Sequence, residues 1–165
     1  EMRSLDGTLY IDKNGDPYIV FCHEWQQITD GRICAMKLTR DLSAPAGKPI
    51  VLFSASEPGW MDKTRETFIT DGPFMYRTKG GRLLLIWSTF VSGDYIQAVA
   101  CSDNGEIDGN WHHEKPLFEK DGGHGMIFTD FSGNLHLILH SPNETYLERP
   151  VMFDIVEQND TLVIK

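Results

Sequence analysis

A polar residue, a glycine, a short apolar strand and then a turn glycine nine positions after the polar residue: this unit recurs three times along the chain. The copies are Asp6-Gly7 with Gly15, Asp71-Gly72 with Gly80, and His124-Gly125 with Gly133. Each turn glycine leads into a second apolar run, so that TLYID is followed by PYIVF, PFMYR by RLLLIW, and MIFTD by NLHLIL. A β-unit of this size cannot bury its apolar face alone and must stack on its neighbours. Units that carry Asp, Asp and His at a matching point predict radial blades converging on a shared polar centre, the arrangement of a β-propeller.

The remainder of the chain agrees with an all-β fold. Apolar periodicity is mostly two, and no amphipathic helix longer than about two turns stands out. The first unit reads as strands 8–12, 17–23 and 32–38, with Asn14-Gly15 supplying the positive φ angles of a tight hairpin. The second reads as 73–78, 82–89 and 95–101, turning at Lys79-Gly80-Gly81. The third reads as 125–130, 134–140 and 150–156, turning at Ser132-Gly133, with a last strand at 161–164. Loops 41–67 and 103–123, rich in Pro, Gly and charge, separate the units. The expectation is one propeller domain over 1–165, with blades at approximately 4–67, 68–120 and 121–165. Because paired strands run antiparallel, the start of each first strand shares a rim with the end of the second. That rim gathers Asp6, Asp71 and His124 with His23, Glu24 and Trp25, with Ser88, Thr89 and Phe90, and with His140, Ser141 and Asn143. Propellers typically have about 4 to 8 blades. The ring is therefore expected to be completed by blades N-terminal to this sequence or by association with another chain.

Composition narrows the partners. The 41% apolar and 11% aromatic content of the 165 residues can build a core. Fifteen Lys and Arg against 24 Asp and Glu give a formal net charge of −9, which argues against a nucleic-acid backbone and favours a neutral ligand. No apolar run approaches the roughly 18 residues of a membrane span, and residues 1–20 lack the basic start and apolar core of a signal peptide. Cys22, Cys34 and Cys101 are odd in number, lie in apolar strands and show no CxxC spacing, so they read as buried free thiols ahead of a disulfide with one thiol left over. Asn143-Glu144-Thr145 has the form of a glycosylation sequon, which matters only in a eukaryotic secretory pathway.

Asp6 and Asp71 form a candidate carboxylate pair. Glycoside hydrolysis needs one protonated carboxyl group for the leaving oxygen and one ionised group that acts on water or on the sugar. Two neighbouring acids push their pKa values apart, which keeps one of them protonated near neutral pH. The competing reading makes both of them turn-forming Asp-Gly pairs.

The runs SLDGTLYIDKNGDPYIVF, ITDGPFMYRTKGGRLLLIWS, GGHGMIFTDFSGNLHLILH and LERPVMFDIV resemble the later blades of glycoside hydrolase family 43. The resemblance extends from about residue 4 to 165. It implies a five-bladed propeller that cleaves arabinosyl, xylosyl or related linkages with inversion, in a secreted or periplasmic parent protein. Asp6 matches the acid that orients the proton donor and raises its pKa. Asp71 stands where the family places its general acid, normally Glu in a Glu-Gly-Pro run, whereas this chain has Asp71-Gly72-Pro73. Aspartate is one methylene shorter, and a misplacement of about 1 Å can cost about 100-fold in rate. Either the backbone compensates, the donor lies elsewhere, with Glu66 nearby in sequence, or the protein is slow or inactive.

His124 matches a histidine near the family's axis, so the resemblance implies either a central water or a structural calcium or other ion there, the ion held by His124 through water, and no cofactor in the chemistry. A hydrogen-bonded core histidine is the alternative. Arg149 in Leu-Glu-Arg-Pro matches an arginine that contacts the innermost sugar; a surface salt bridge is its alternative. Trp25, with His23 and Glu24, sits where an indole can stack on a sugar face. Phe90 and Trp60 are further rim candidates, whereas Trp87 and Trp111 read as core or blade edge. His112-His113 lacks further metal ligands and reads as a solvated strand or turn. The family's general base belongs to the first blade, upstream of Asp6, so these residues alone are expected to hydrolyse little. A carbohydrate-binding propeller that keeps the pocket and lacks the chemistry is the rival reading.

Overall fold

Each of the three repeated hairpins grows into a four-stranded antiparallel sheet in the computed structural model, which describes residues 1–165. The first sheet has the order β1 (Ser4–Ile11), β2 (Pro17–His23), β3 (Arg32–Lys37), β4 (Ile50–Ser54). The second runs β5 (Asp71–Arg77), β6 (Leu83–Val91), β7 (Asp94–Ser102), β8 (Trp111–His113). The third runs β9 (Gly123–Thr129), β10 (Leu135–Ser141), β11 (Arg149–Gln158), β12 (Thr161–Ile164). The first strands β1, β5 and β9 lie side by side, β5 touching both of the others. The chain is therefore all-β, three blades of a propeller. A single four-residue helix, α1 (Trp25–Ile28), follows β2. Strands β4 and β8 fall inside segments 41–67 and 103–123, which the sequence reads as loops.

The hairpin turns repeat atom for atom. The amide of residue 12, 78 or 130 donates to the carbonyl of residue 16, 82 or 134 at 2.9 Å, and the amide of Gly15, Gly81 or Gly133 donates back at 3.0 Å. In all three, a side-chain oxygen of Asp12, Thr78 or Asp130 accepts the amide four residues on, at 2.8, 3.0 and 2.8 Å. The three turn glycines have φ of 80°, 97° and 87°, a region that costs any residue with a Cβ. The middle copy is thus anchored on Gly81, not on Gly80 as the sequence match has it.

That one-residue correction moves the polar centre. Ladder register jumps between Leu5 and Thr8 in β1 and between Asp71 and Phe74 in β5. A third jump lies between Ile138 and His140 in β10, opposite Met126 and Gly123. These are β-bulges at one common point. Their left-handed residues are Asp6 (φ 54°), Gly72 (φ 51°) and His124 (φ 54°). Asp6 is therefore equivalent to Gly72 and His124, while Asp71 stands one residue earlier, level with Leu5 and Gly123.

Packing explains the two apolar textures of the sequence. The middle sheet is covered on both faces, which is why RLLLIWS is continuously apolar and not alternating. Leu83, Leu85 and Trp87 of β6 pack toward the first sheet with Val20, Ile33 and Phe53. Leu84 and Ile86 pack toward the third with Leu137, Leu139 and Ile155. Trp60 belongs to the first of these seams, not to the rim. Its ring stacks on Trp87 at 6.2 Å, and its indole N–H donates to the Glu114 carbonyl at 3.0 Å. His112-His113 lies on a strand, β8, but His113 is not solvated: its ring meets Phe53 edge-on at 4.7 Å, and burial pushes its pKa down to about 4. Cys22, Cys34 and Cys101 are buried and free. No helix is long and apolar enough to cross a membrane.

Candidate active site

The bulges create the site because they turn side chains out of the ladder and toward the neighbouring blade. Asp6 Oδ2 accepts the Gly72 amide at 3.1 Å, and Asp6 Oδ1 lies 3.9 Å from His124 Nε2. His124 in turn covers Gly72, its Cδ2 standing 2.8 Å from where a Cβ on that residue would be. One residue from each blade therefore meets around Gly72. A hydrogen bond from Thr8 Oγ1 to the Pro73 carbonyl, 2.6 Å, closes the first seam beside it. The second seam is closed by Ser88 Oγ, which accepts the His124 amide at 2.7 Å, and by the buried amide of Gln97. Gln97 accepts from the Gly125 N–H at 2.7 Å and donates to the Trp87 carbonyl at 3.0 Å.

Asp71 opens β5 level with Ser88, next to this cluster. Burial holds its pKa above the ordinary aspartate value, and the charges of Asp6 and Glu24 add to the shift; the Tyr95 hydroxyl and His124 oppose it. Tyr95 donates from its hydroxyl to Asp71 Oδ2 at 2.9 Å. Burial and the adjacent Asp71 charge keep that phenol protonated. A carboxyl group half withdrawn from water beside a second acid is the environment that a proton donor requires.

The other residues singled out in the sequence are distributed around this pair. Glu24 caps α1 by accepting the Gln26 amide at 3.2 Å. Trp25 follows it, half-buried, at the first position of the helix. His23 turns its Nε2 to Gln27 Oε1, 2.9 Å away. Phe90 is not a free platform, because its ring packs on Tyr95 at 4.8 Å. Glu66 is exposed on the loop before β5. Arg149, at the start of β11, donates to the carbonyls of Tyr146 and Glu148 at 3.2 and 2.7 Å. It lines a cavity of about 330 Å³ shared with His124, Met126, Ile138, His140 and Pro150. No three His, Cys, Asp or Glu side chains converge as metal ligands. His124 and Asp6 alone do not make a cage.

Tyr95 and Gln97 carry no sequence signal of a site role. Both lie in a strand that reads as plain core, and only the fold reveals that their polar ends reach past β6 to β5 and across the seam to β9.

The family model for Glycosyl hydrolases family 43 matches residues 1–161. The chain belongs to glycosyl hydrolase family 43. Solved structures agree with that membership. An endo-arabinase from Bacteroides thetaiotaomicron VPI-5482 is 39% identical with a TM-score of 0.89, over 96% of this chain and 58% of that one. An endo-1,4-beta-xylanase from the same organism is 25% identical with a TM-score of 0.80, over 100% and 59%. The fold alone is shared with an alpha-L-arabinofuranosidase from Lactobacillus brevis, 19% identical with a TM-score of 0.74, over 98% and 55%. The chain thus spans somewhat under three-fifths of the length of these structures. No curated protein matches it.

Proposed function

We propose that the whole protein is an inverting glycosidase acting on arabinose- or xylose-containing glycans, with Asp71 as its general acid. The half-buried Asp71 carboxyl, held by the Tyr95 hydroxyl beside Asp6 and with a raised pKa, carries this reading. Protonated Asp71 delivers its proton to the departing glycosidic oxygen as the bond to the anomeric carbon lengthens. Asp6, anchored on the Gly72 amide, keeps a negative charge close by, which favours the protonated form of Asp71 before the reaction. Arg149 offers hydrogen-bond donors to sugar hydroxyls across the cavity it shares with His124. Inversion also requires a carboxylate about 6.5–9.5 Å from the acid, on the opposite side of the sugar, to activate water. We place that base in the part of the ring beyond these three blades. The supporting relatives act on arabinan and xylan by their names, and that is the origin of the sugar assignment.

A second reading follows from the engagement of Asp71 Oδ2 by Tyr95 and from the aspartate's shorter reach: a propeller that binds such glycans without cutting them. The test uses the whole protein with aryl arabinosides and xylosides and with arabinan and xylan oligomers. Asp71→Asn is expected to lower kcat by about 10²–10⁴, the usual contribution of a general acid. Turnover unchanged in Asp71→Asn refutes the assignment, and calorimetric binding without turnover in the parent protein establishes the second reading.

A further inference from the structure

Tyr95 is 2% exposed, and its ring is held from several sides. Phe90 packs on it at 4.8 Å, and His140 stacks on it at 5.4 Å with planes 16° apart. His140 belongs to the third blade, whereas Tyr95 belongs to the second. The loop that joins these blades fixes the arrangement. Asp121 accepts the Tyr95 amide at 3.3 Å through Oδ1 and the Asn143 amide at 3.0 Å through Oδ2. The Asp121 carbonyl accepts the Ser141 hydroxyl at 2.9 Å, and the Gly122 amide donates to the Tyr95 carbonyl at 2.7 Å. His140 Nε2 pairs with Asn143 Oδ1 at 2.7 Å, which sets the plane of the imidazole. A phenol clamped to this extent has its oxygen fixed in place, with Ser88 beside it and Asp71 Oδ2 at 2.9 Å as the acceptor of its proton.

We propose that Tyr95 is a positioning residue for the acid: its hydroxyl occupies Asp71 Oδ2, so that the transferable proton resides on Oδ1 and faces the glycosidic oxygen. This inference rests on the assignment of Asp71 as general acid. The chemistry is consistent at each atom. In neutral Asp71 the carbonyl-type oxygen Oδ2 accepts the phenol O–H, and Oδ1–H is the donor. After transfer to the leaving oxygen, the carboxylate keeps the Tyr95 hydrogen bond, which stabilises the charge that has just formed. The clamp also holds the Asp71 side chain in one rotamer, so its ordering is not repeated at each turnover.

Tyr95→Phe retains the ring, its stacking and the backbone contacts, and removes only the hydroxyl. The experiment compares the whole protein with this variant on aryl glycosides of graded leaving-group basicity, across pH, beside Asp71→Asn. Expected is a fall in kcat of about 10- to 100-fold for basic leaving groups, with KM nearly unchanged and little loss for a dinitrophenyl leaving group, which departs without a proton. The alkaline limb of the rate profile also moves up in pH, because the hydroxyl no longer stabilises the ionised carboxylate. An equal loss for all leaving groups with an unmoved limb marks a merely structural tyrosine and overturns the inference. So does a Tyr95→Phe enzyme that matches the parent while Asp71→Asn is inactive, and this pattern leaves Asp71 as the acid. Full activity of Asp71→Asn, or no turnover by the parent, removes the acid assignment and the inference together. A ¹³C titration of the Asp71 carboxyl gives a readout besides activity: its midpoint rises in Tyr95→Phe if the hydrogen bond is as described, and an unchanged midpoint overturns it.

Discussion

Because burial and the nearby Asp6 charge hold the Asp71 pKa above its ordinary value, the folded protein binds that proton more tightly than the unfolded chain does. The penalty on the folded state is complete once pH exceeds the raised pKa and vanishes below the ordinary aspartate value of 3.8. Asp71→Asn, which keeps an oxygen for the Tyr95 hydroxyl, should therefore melt at a higher temperature than the parent at pH 7. The difference should close as pH falls toward about 3. Thermal melts of both proteins across that range check it, and equal melting temperatures at pH 7 contradict the described environment. Such a gain in stability on removing a charge is the expected sign of a residue kept for chemistry.

At the scale of strands and turns, the bulge and hairpin geometry makes a sharper statement than composition does. Gly15, Gly81 and Gly133 all sit at positive φ with open space around the position a Cβ would take, so alanine meets only backbone strain there. Gly81→Ala should cost about 1 kcal/mol, read as a lowered urea midpoint, with Gly15→Ala and Gly133→Ala close to it. A Gly81→Ala protein as stable as the parent contradicts the register described above. Most of these elements were legible in the sequence, since 17–23 and 161–164 match β2 and β12 residue for residue and the other principal strands shift at their ends. Strands β4 and β8 were not, because each is a short outermost strand: Ile50–Ser54 follows Pro49 within a long loop, and Trp111–His113 spans three residues. The candidate site was legible as a set of residues but not as an alignment. Lys79-Gly80-Gly81 offers two adjacent glycines, and nothing local says which takes the left-handed angle. Tyr95 was illegible for a different reason: the partner of a buried hydroxyl depends on which strands the fold brings together, and no periodicity encodes that.

Over the molecule as a whole, burial is uneven in a way that follows from blade order. The middle sheet has both faces covered, while the first and third each leave one apolar face open. On the first, Leu9, Ile11 and Val51 are about half exposed, Leu9 at 54%; on the third, Met126, Phe128 and Met152 are similarly open, Met152 at 58%. Apolar surface of that kind drives association. The 165-residue chain by itself should sediment as a concentration-dependent oligomer, and Leu9→Lys with Met152→Lys should shift it toward monomer. A parent chain that stays monomeric throughout the micromolar range contradicts this. A further consequence comes from the seams. Asp6, Asp71 and His124 belong to three different sheets, and no backbone ladder joins those sheets where the residues meet. The spacing of these three groups is therefore set by how the wedges of the ring are seated, as the bore of a barrel is set by its staves. A slight loosening between wedges would blunt the proposed hydrolysis while every sheet stayed intact, so on gentle heating the whole protein's rate should fade before the circular dichroism changes.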